Sequence, residues 1–146
     1  MIPDINLLTT PLEEVEHPDK TYQAIIVKSI SVENDTTKEV YRTRIKGYAD
    51  GLESLKQAIY FILGTERYRF PIYSWDYGVE LYDLFGKPMP YVISEIPRRI
   101  KEALMVDNRV SDVTDFEFER SGKKLHVTFN VVSNYGNLNA DLEVEI

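Results

Sequence analysis

A chain of 146 residues and 17.0 kDa with 43% hydrophobic residues is sized for one domain with a real core, which excludes a wholly disordered protein. Its 17 basic against 24 acidic residues give a formal charge of −7, a poor field for gripping phosphate, so no nucleic-acid partner is expected. The absence of cysteine removes disulfides, zinc–thiolate sites and cysteine nucleophiles, and no signal peptide or membrane span is legible.

Residues 1–20 carry Pro3, Pro11 and Pro18 among the acids Glu13, Glu14 and Glu16, and read as an extended arm ahead of a domain over 21–146. A disordered tail and an arm that docks on a neighbour both fit that pattern. Tyr22 to Val32, rich in β-branched residues, predicts a strand buried in part on both faces. A polar turn over Glu33–Thr37 and a returning strand over Val40–Lys46 complete a hairpin.

At Gly51 the period changes. Leu52, Leu55, Ile59, Ile62 and Leu63 recur at helical spacing, with Asp50 as N-cap and Gly64 as stop. Thr65 to Trp75 is dense in aromatics and arginine and reads as irregular or extended. Tyr77 to Phe85 is expected to be a short helix closed by Gly86. A longer helix falls within Tyr91–Val106, with Ile96, Ile100, Ala103 and Leu104 as its apolar stripe and Arg98, Arg99, Lys101 and Glu102 facing away. Pro97 either lies in its first turn or kinks it.

The last third alternates cleanly. Phe116 and Phe118, then Leu125 to Val131, then Leu138, Ala140, Leu142, Val144 and Ile146 alternate with polar residues across two turns, predicting a three-strand antiparallel meander with one core face and one wet face. The fold class is therefore α+β, a single domain with an N-terminal hairpin, about three helices and a C-terminal meander.

Few motifs point to chemistry. Gly78, Gly86 and Lys87 lack the spacing of a phosphate loop, and His17 and His126 have no partner at metal-ligand spacing, so no cofactor or metal is expected. Asp76 with Glu80, or Glu95 with Glu102, are the carboxylate pairs a glycosidase could use, but most acids fall on wet strand faces. No catalytic residues are assigned. Arg67, Arg69, Arg98 and Arg99 lie among aromatics, a mixture enriched in protein interfaces. The final strand holds neither Lys nor Pro over Asn139–Ile146. If it lies at a sheet edge it is a candidate for pairing with a partner strand; if it is central, or guarded by Asp141, Glu143 and Glu145, it is not.

Several segments, taken in order, resemble a known family: Gly47–Ile59, Ile72–Leu81, Asp83–Gly86, Arg98–Leu104 and Asp107–Val110. They are similar to the XkdS-like baseplate proteins of defective prophages and phage-tail-like bacteriocins, and through them to the wider sheath-initiator family of contractile-tail baseplate wedges. The resemblance implies a non-enzymatic baseplate component of a phage tail or tail-like particle, assembled in the bacterial cytoplasm. It implies that the chain starts the sheath, pairing strands with the first sheath ring and bridging it to wedge proteins and tube-end or hub proteins in a six-fold particle. Leu138, Ala140, Leu142, Val144 and Ile146 are then the sheath-docking candidates. Asp107 and Arg109 match the acid and arginine of the family's Glu-Pro-Arg motif, with Asn108 replacing proline, and with Arg98 and Arg99 become candidates for the wedge interface. A local ion pair in a turn would serve as well at Asp107 and Arg109. Tyr77 and Gly78 match the family's Tyr-Gly pair. The rival functions are a lysozyme-like, peptidoglycan-cleaving baseplate enzyme and a tail-assembly chaperone.

Overall fold

A computed structural model describes residues 20–33 and 36–145, with side chains over 20–25 and 44–145. The expected arm up to residue 19 with His17, the turn centre Asn34–Asp35, and Ile146 lie outside the described residues.

The N-terminal hairpin is longer than its apolar pattern. Strands β1 (Lys20–Glu33) and β2 (Thr36–Asp50) pair antiparallel as a two-stranded ribbon separate from the other sheet. Of its described side chains Ala49 is buried, whereas Tyr22 and Tyr48 stack at 5.0 Å on the exposed surface. The ladder slips between Tyr22 and Ala24, where Gln23 faces two residues, Lys46 and Gly47. Gly47 takes φ +66, a left-handed conformation that suits glycine at a bulge. At that slip the side chain of Gln57 takes over. Its Oε1 accepts the Ala24 N–H at 2.9 Å, and its Nε2 donates to the Tyr22 carbonyl at 2.8 Å. Since a lone hairpin is marginal in water, this amide clamp ties the ribbon to the body. Gln57→Ala is expected to speed hydrogen exchange at Ala24 while core amides stay protected.

Helix α1 (Gly51–Leu63) buries Leu55, Ile59, Ile62 and Leu63 at helical spacing. Asp50 holds the N-cap position without a side-chain cap bond, and Gly64 closes the helix by donating to the Tyr60 carbonyl at 3.0 Å. Helix α2 (Met89–Leu104) starts earlier than the sequence pattern and runs through Pro97. That proline forfeits one backbone bond, at a cost of about 3 kcal/mol. The buried stripe of Val92, Ile96, Ile100, Ala103 and Leu104 offsets it.

The meander is as expected: β3 (Val110–Ser121), β4 (Lys124–Ser133) and β5 (Gly136–Glu145) form one antiparallel sheet in the order β3-β4-β5. Both helices cover one face, α2 beside β3 and α1 beside β5. Val113, Leu125, Val127, Phe129, Val131 and Val144 meet them in the core, and Phe116 stacks on Phe129 at 5.5 Å. No helix among the described residues is long and apolar enough to cross a membrane.

The third helix expected over Tyr77–Phe85 does not form, leaving two α-helices among the described residues. Val79 is fully buried in a short parallel bridge with Glu66, fixed by Val79 N–H to Thr65 O at 2.9 Å and Arg67 N–H to Val79 O at 3.1 Å. Gly78 stands at φ +98, and a Cβ there would lie 2.5 Å from the Thr65 carbonyl oxygen. Only a single 3-10 turn, Tyr82–Leu84, remains. The Glu66 carboxylate accepts the Leu81 and Tyr82 N–H groups, each at 3.0 Å. These constraints come from a segment more than ten residues away, so a local periodicity cannot reveal them.

Candidate functional site

The first candidate surface is the β5 edge of the meander, with which no described residue pairs. Two tight turns fix which backbone groups are available there. Ser121 faces Lys124 across Gly122–Lys123, and Ser133 faces Gly136 across Asn134–Tyr135. The pair that closes a two-residue hairpin exchanges backbone hydrogen bonds, and bonded pairs alternate from there. On β4 the odd residues therefore bond to β5 and the even ones to β3, as a central strand requires. On β5, Leu138, Ala140, Leu142 and Val144 turn their N–H and C=O groups toward β4. Asn137, Asn139, Asp141, Glu143 and Glu145 turn theirs outward.

The two edges of the sheet differ. The register of β3 against β4 shifts twice, between Val110 and Asp112 and between Thr114 and Glu117, where Asp115 takes φ +56. Such bulges blunt an edge. The register of β5 runs through ten pairs without a shift. Beside this straight edge a groove of about 360 Å³ opens against α1, lined by Ile59, Tyr60, Leu63, Leu138, Ala140 and Leu142. Leu138, Ala140 and Leu142 are only half-buried, whereas Val144 is buried. A second hollow of about 310 Å³ at the base of the ribbon, lined by Ala24, Ala49 and Phe61, shares Lys56 and Tyr60 with the first.

The second surface is the loop between the helices. Ile72 is 85% exposed, Trp75 83% and Tyr68 63%, joined by Phe70, Tyr73, Tyr82 and Phe85. Tyr68 takes φ +64, unusual for a residue with a bulky side chain, and its ring lies 5.9 Å from that of Trp75. Arg69 donates to the Tyr82 hydroxyl and lies over both the Phe70 and Tyr82 rings.

Beneath these rings an ionic network holds the loop on α2. Buried Arg67 donates from Nε to the Gly78 carbonyl at 3.2 Å and from Nη1 to Glu102 at 2.8 Å. Arg99, expected to face solvent, is buried instead. It donates to the Glu80 carbonyl at 2.8 Å and forks onto Asp83, with Nη2 at 2.9 Å, while its Nε lies 3.5 Å from Glu95. The hydrogen bond from Arg99 is the main reason the Asp83 carboxyl is held below its usual value. Its contribution to stability is therefore complete above the unfolded carboxylate range and is lost as pH falls through the depressed folded value. Urea midpoints measured down to acid pH are expected to show this loss, and Asp83→Asn to remove that part of the dependence.

Arg98 remains exposed, with Glu95 at 2.7 Å and Glu102 at 3.2 Å. Both acids of the Glu95–Glu102 pair weighed for glycosidase chemistry are thus bound by arginine. The Arg98 hydrogen bond leads in holding the Glu95 carboxyl below its usual value, the opposite of what a proton-donating acid needs. Glu66 shifts the other way, raised chiefly by burial, but its oxygens are committed to Leu81 and Tyr82.

The third group is the turn from α2 into β3. Asp107 is 3% exposed and Arg109 6%. Arg109 donates from Nε to Oδ1 of Asp107 at 2.9 Å and from Nη2 to Oδ2 at 2.7 Å, a forked pair. Its Nη1 reaches the Oγ of Ser54, buried on α1, at 3.2 Å, and its carbonyl accepts the Asn134 N–H at 3.1 Å. One residue thus ties α1, the end of α2 and the β4–β5 turn. Tyr77, Gly78, Asp107 and Arg109, distant in sequence, line one cavity of about 70 Å³. Met105, Val106 and Asn108 are the exposed residues of this turn. The family resemblance named Asp107 and Arg109, while the sequence reading missed Ser54 and Gln57, two ordinary polar helix residues whose partners lie elsewhere in the chain.

The straight sheet edge, the apolar groove beside it and the exposed aromatic face are surfaces on which a protein partner can pair and pack. The profile of the contractile injection system sheath initiator family matches residues 20–136, and the chain belongs to that family. It is 39% identical over 127 residues to the phage-like element PBSX protein XkdS of Bacillus subtilis (strain 168), covering 83% of this chain and 90% of that relative. The chain is accordingly a structural component of a contractile-tail baseplate.

Proposed function

We propose that the chain starts the sheath by presenting the edge of β5 as the first acceptor for a strand of a sheath subunit. The observation that carries this reading is the unbroken ladder of β5, with its outward backbone groups beside the groove on α1. Strand addition supplies backbone hydrogen bonds along the edge, and the groove receives every second side chain. Leu138, Ala140 and Leu142 form the floor of this site and buried Val144 continues the strand, their own backbones all committed to β4.

The aromatic face then meets wedge proteins and tube-end or hub proteins. Arg98 stands exposed on α2 beside the ionic network, and Arg99 ties the loop to that helix. Asp107 and Arg109 set the turn that offers Met105, Val106 and Asn108 to a wedge partner. Six copies around the tail axis let modest pairwise affinities act together. Trp75→Ala is expected to leave folding within about 0.5 kcal/mol and to weaken wedge binding roughly tenfold or more, measured by titration with purified wedge protein.

Tails from cells lacking the chain are expected to carry baseplates with bare tubes, and purified protein to restore sheath growth. Sheaths of normal length in its absence would contradict the proposal.

A further inference from the structure

We infer that the strand accepted by β5 is amphipathic, with apolar residues at alternate positions and lysine or arginine at the positions between. This deepens the strand-docking reading and rests on it. A strand added to β5 places the residues opposite Asn139, Asp141, Glu143 and Glu145 on the wet face of the sheet, because paired residues share a face. The intervening residues turn into the groove, against Ile59, Tyr60 and Leu63.

The wet face is strongly acidic. Asp115, Glu117 and Glu119 on β3 and Asp141, Glu143 and Glu145 on β5 all stand exposed on it. Against them β4 offers Lys124 and His126. Lys124 binds Glu143 at 2.7 Å and also faces Glu145 directly across the ladder, His126 faces Glu143, and Asp141 faces the neutral Thr128. Opposite charges directly across a ladder stabilise it and like charges oppose it. With six acids on this face against Lys124 and His126, an incoming strand with acids there would add to an excess of negative charge, whereas a basic one offsets it.

The test uses three synthetic peptides of roughly eight residues, the length this edge can pair. One alternates valine and lysine, one alternates valine and glutamate, and one carries the valines and lysines in two blocks. Each is titrated into the isotopically labelled full chain, and shifts are read at the amides of Asn139, Asp141 and Glu143. The valine–lysine peptide is expected to bind roughly tenfold or more tightly than the valine–glutamate peptide, with the advantage shrinking in salt. The double variant Asp141→Lys with Glu145→Lys is expected to reverse the preference.

Equal affinity of the two alternating peptides at these amides overturns the inference while leaving strand docking intact. So does equal binding of the block peptide, which would mark unstructured charge attraction. If no peptide moves these amides but purified sheath subunits do, the inferred chemistry is wrong. If sheath subunits leave them unmoved as well, the strand-docking reading itself falls.

Discussion

Asp141→Pro is expected to abolish sheath addition while leaving the fold standing. The N–H of Asp141 points away from β4, and an edge strand tolerates proline where its N–H faces out. The substitution removes a donor from the middle of the open edge, worth about 1 kcal/mol, and sets a pyrrolidine ring where the partner strand must lie. The neighbouring Leu142→Pro is the informative contrast. Leu142 faces Val127 in a pair bonded to β4, so proline there breaks the internal ladder. It is expected to destabilise the chain by roughly 2–4 kcal/mol. Thermal melting separates the two variants, and electron microscopy of sheath polymerising on purified baseplates reads function. Normal sheath growth on Asp141→Pro would show that this edge is not used.

Arg109→Ala is expected to cost about 3–5 kcal/mol of folding stability, because it leaves the buried Asp107 carboxylate without its forked partner. The loss has a second part, since Ser54 on α1 also gives up a hydrogen bond from Arg109. Arg109→Lys is expected to recover little, as an ammonium cannot reproduce the two parallel bonds. Replacing Asp107 and Arg109 together with apolar residues of similar size is expected to cost less than Arg109→Ala alone, because no charge is then stranded. Urea unfolding of the variants measures this order directly. A change below about 0.5 kcal/mol for Arg109→Ala would mean that the pair is not part of the fold's framework.

The sequence disclosed the elements whose causes are local. The alternation from Leu125 to Val144 located β4, β5 and their core face, and the spacing of Leu55, Ile59, Ile62 and Leu63 located α1 with its glycine stop. From the absence of lysine and proline it also marked the last strand as a docking candidate, should that strand lie at an edge. Which alternate residues of that strand offer open backbone groups was not legible, since it depends on both flanking turns and the strand order. The segment Tyr77–Phe85 reads as a short helix closed by Gly86, yet Val79 is drawn into a bridge by Glu66 and Gly78 passes too close to Thr65 for any side chain.

Charged residues were the least legible. Arg99 looks like a surface cation in the sequence, but the loop between the helices places the Asp83 carboxylate and the Glu80 carbonyl for it. At Arg109 the local ion pair with Asp107 was one of the readings the sequence offered, whereas the hydroxyl of Ser54 on α1 was not. A periodicity places an arginine on a face; it does not report the acid that lets it be buried there. Gln57 is the same case for a neutral side chain, since its role follows from a bulge between β1 and β2.

The most direct measurement is cryo-electron microscopy of intact tails at the junction of baseplate and sheath. The account predicts a fourth strand beside β5, contributed by a first-ring sheath subunit and hydrogen-bonded to Asn139, Asp141 and Glu143, with its alternate side chains on Ile59, Tyr60 and Leu63. A sheath that meets this chain elsewhere, with the β5 edge left in solvent, would contradict it.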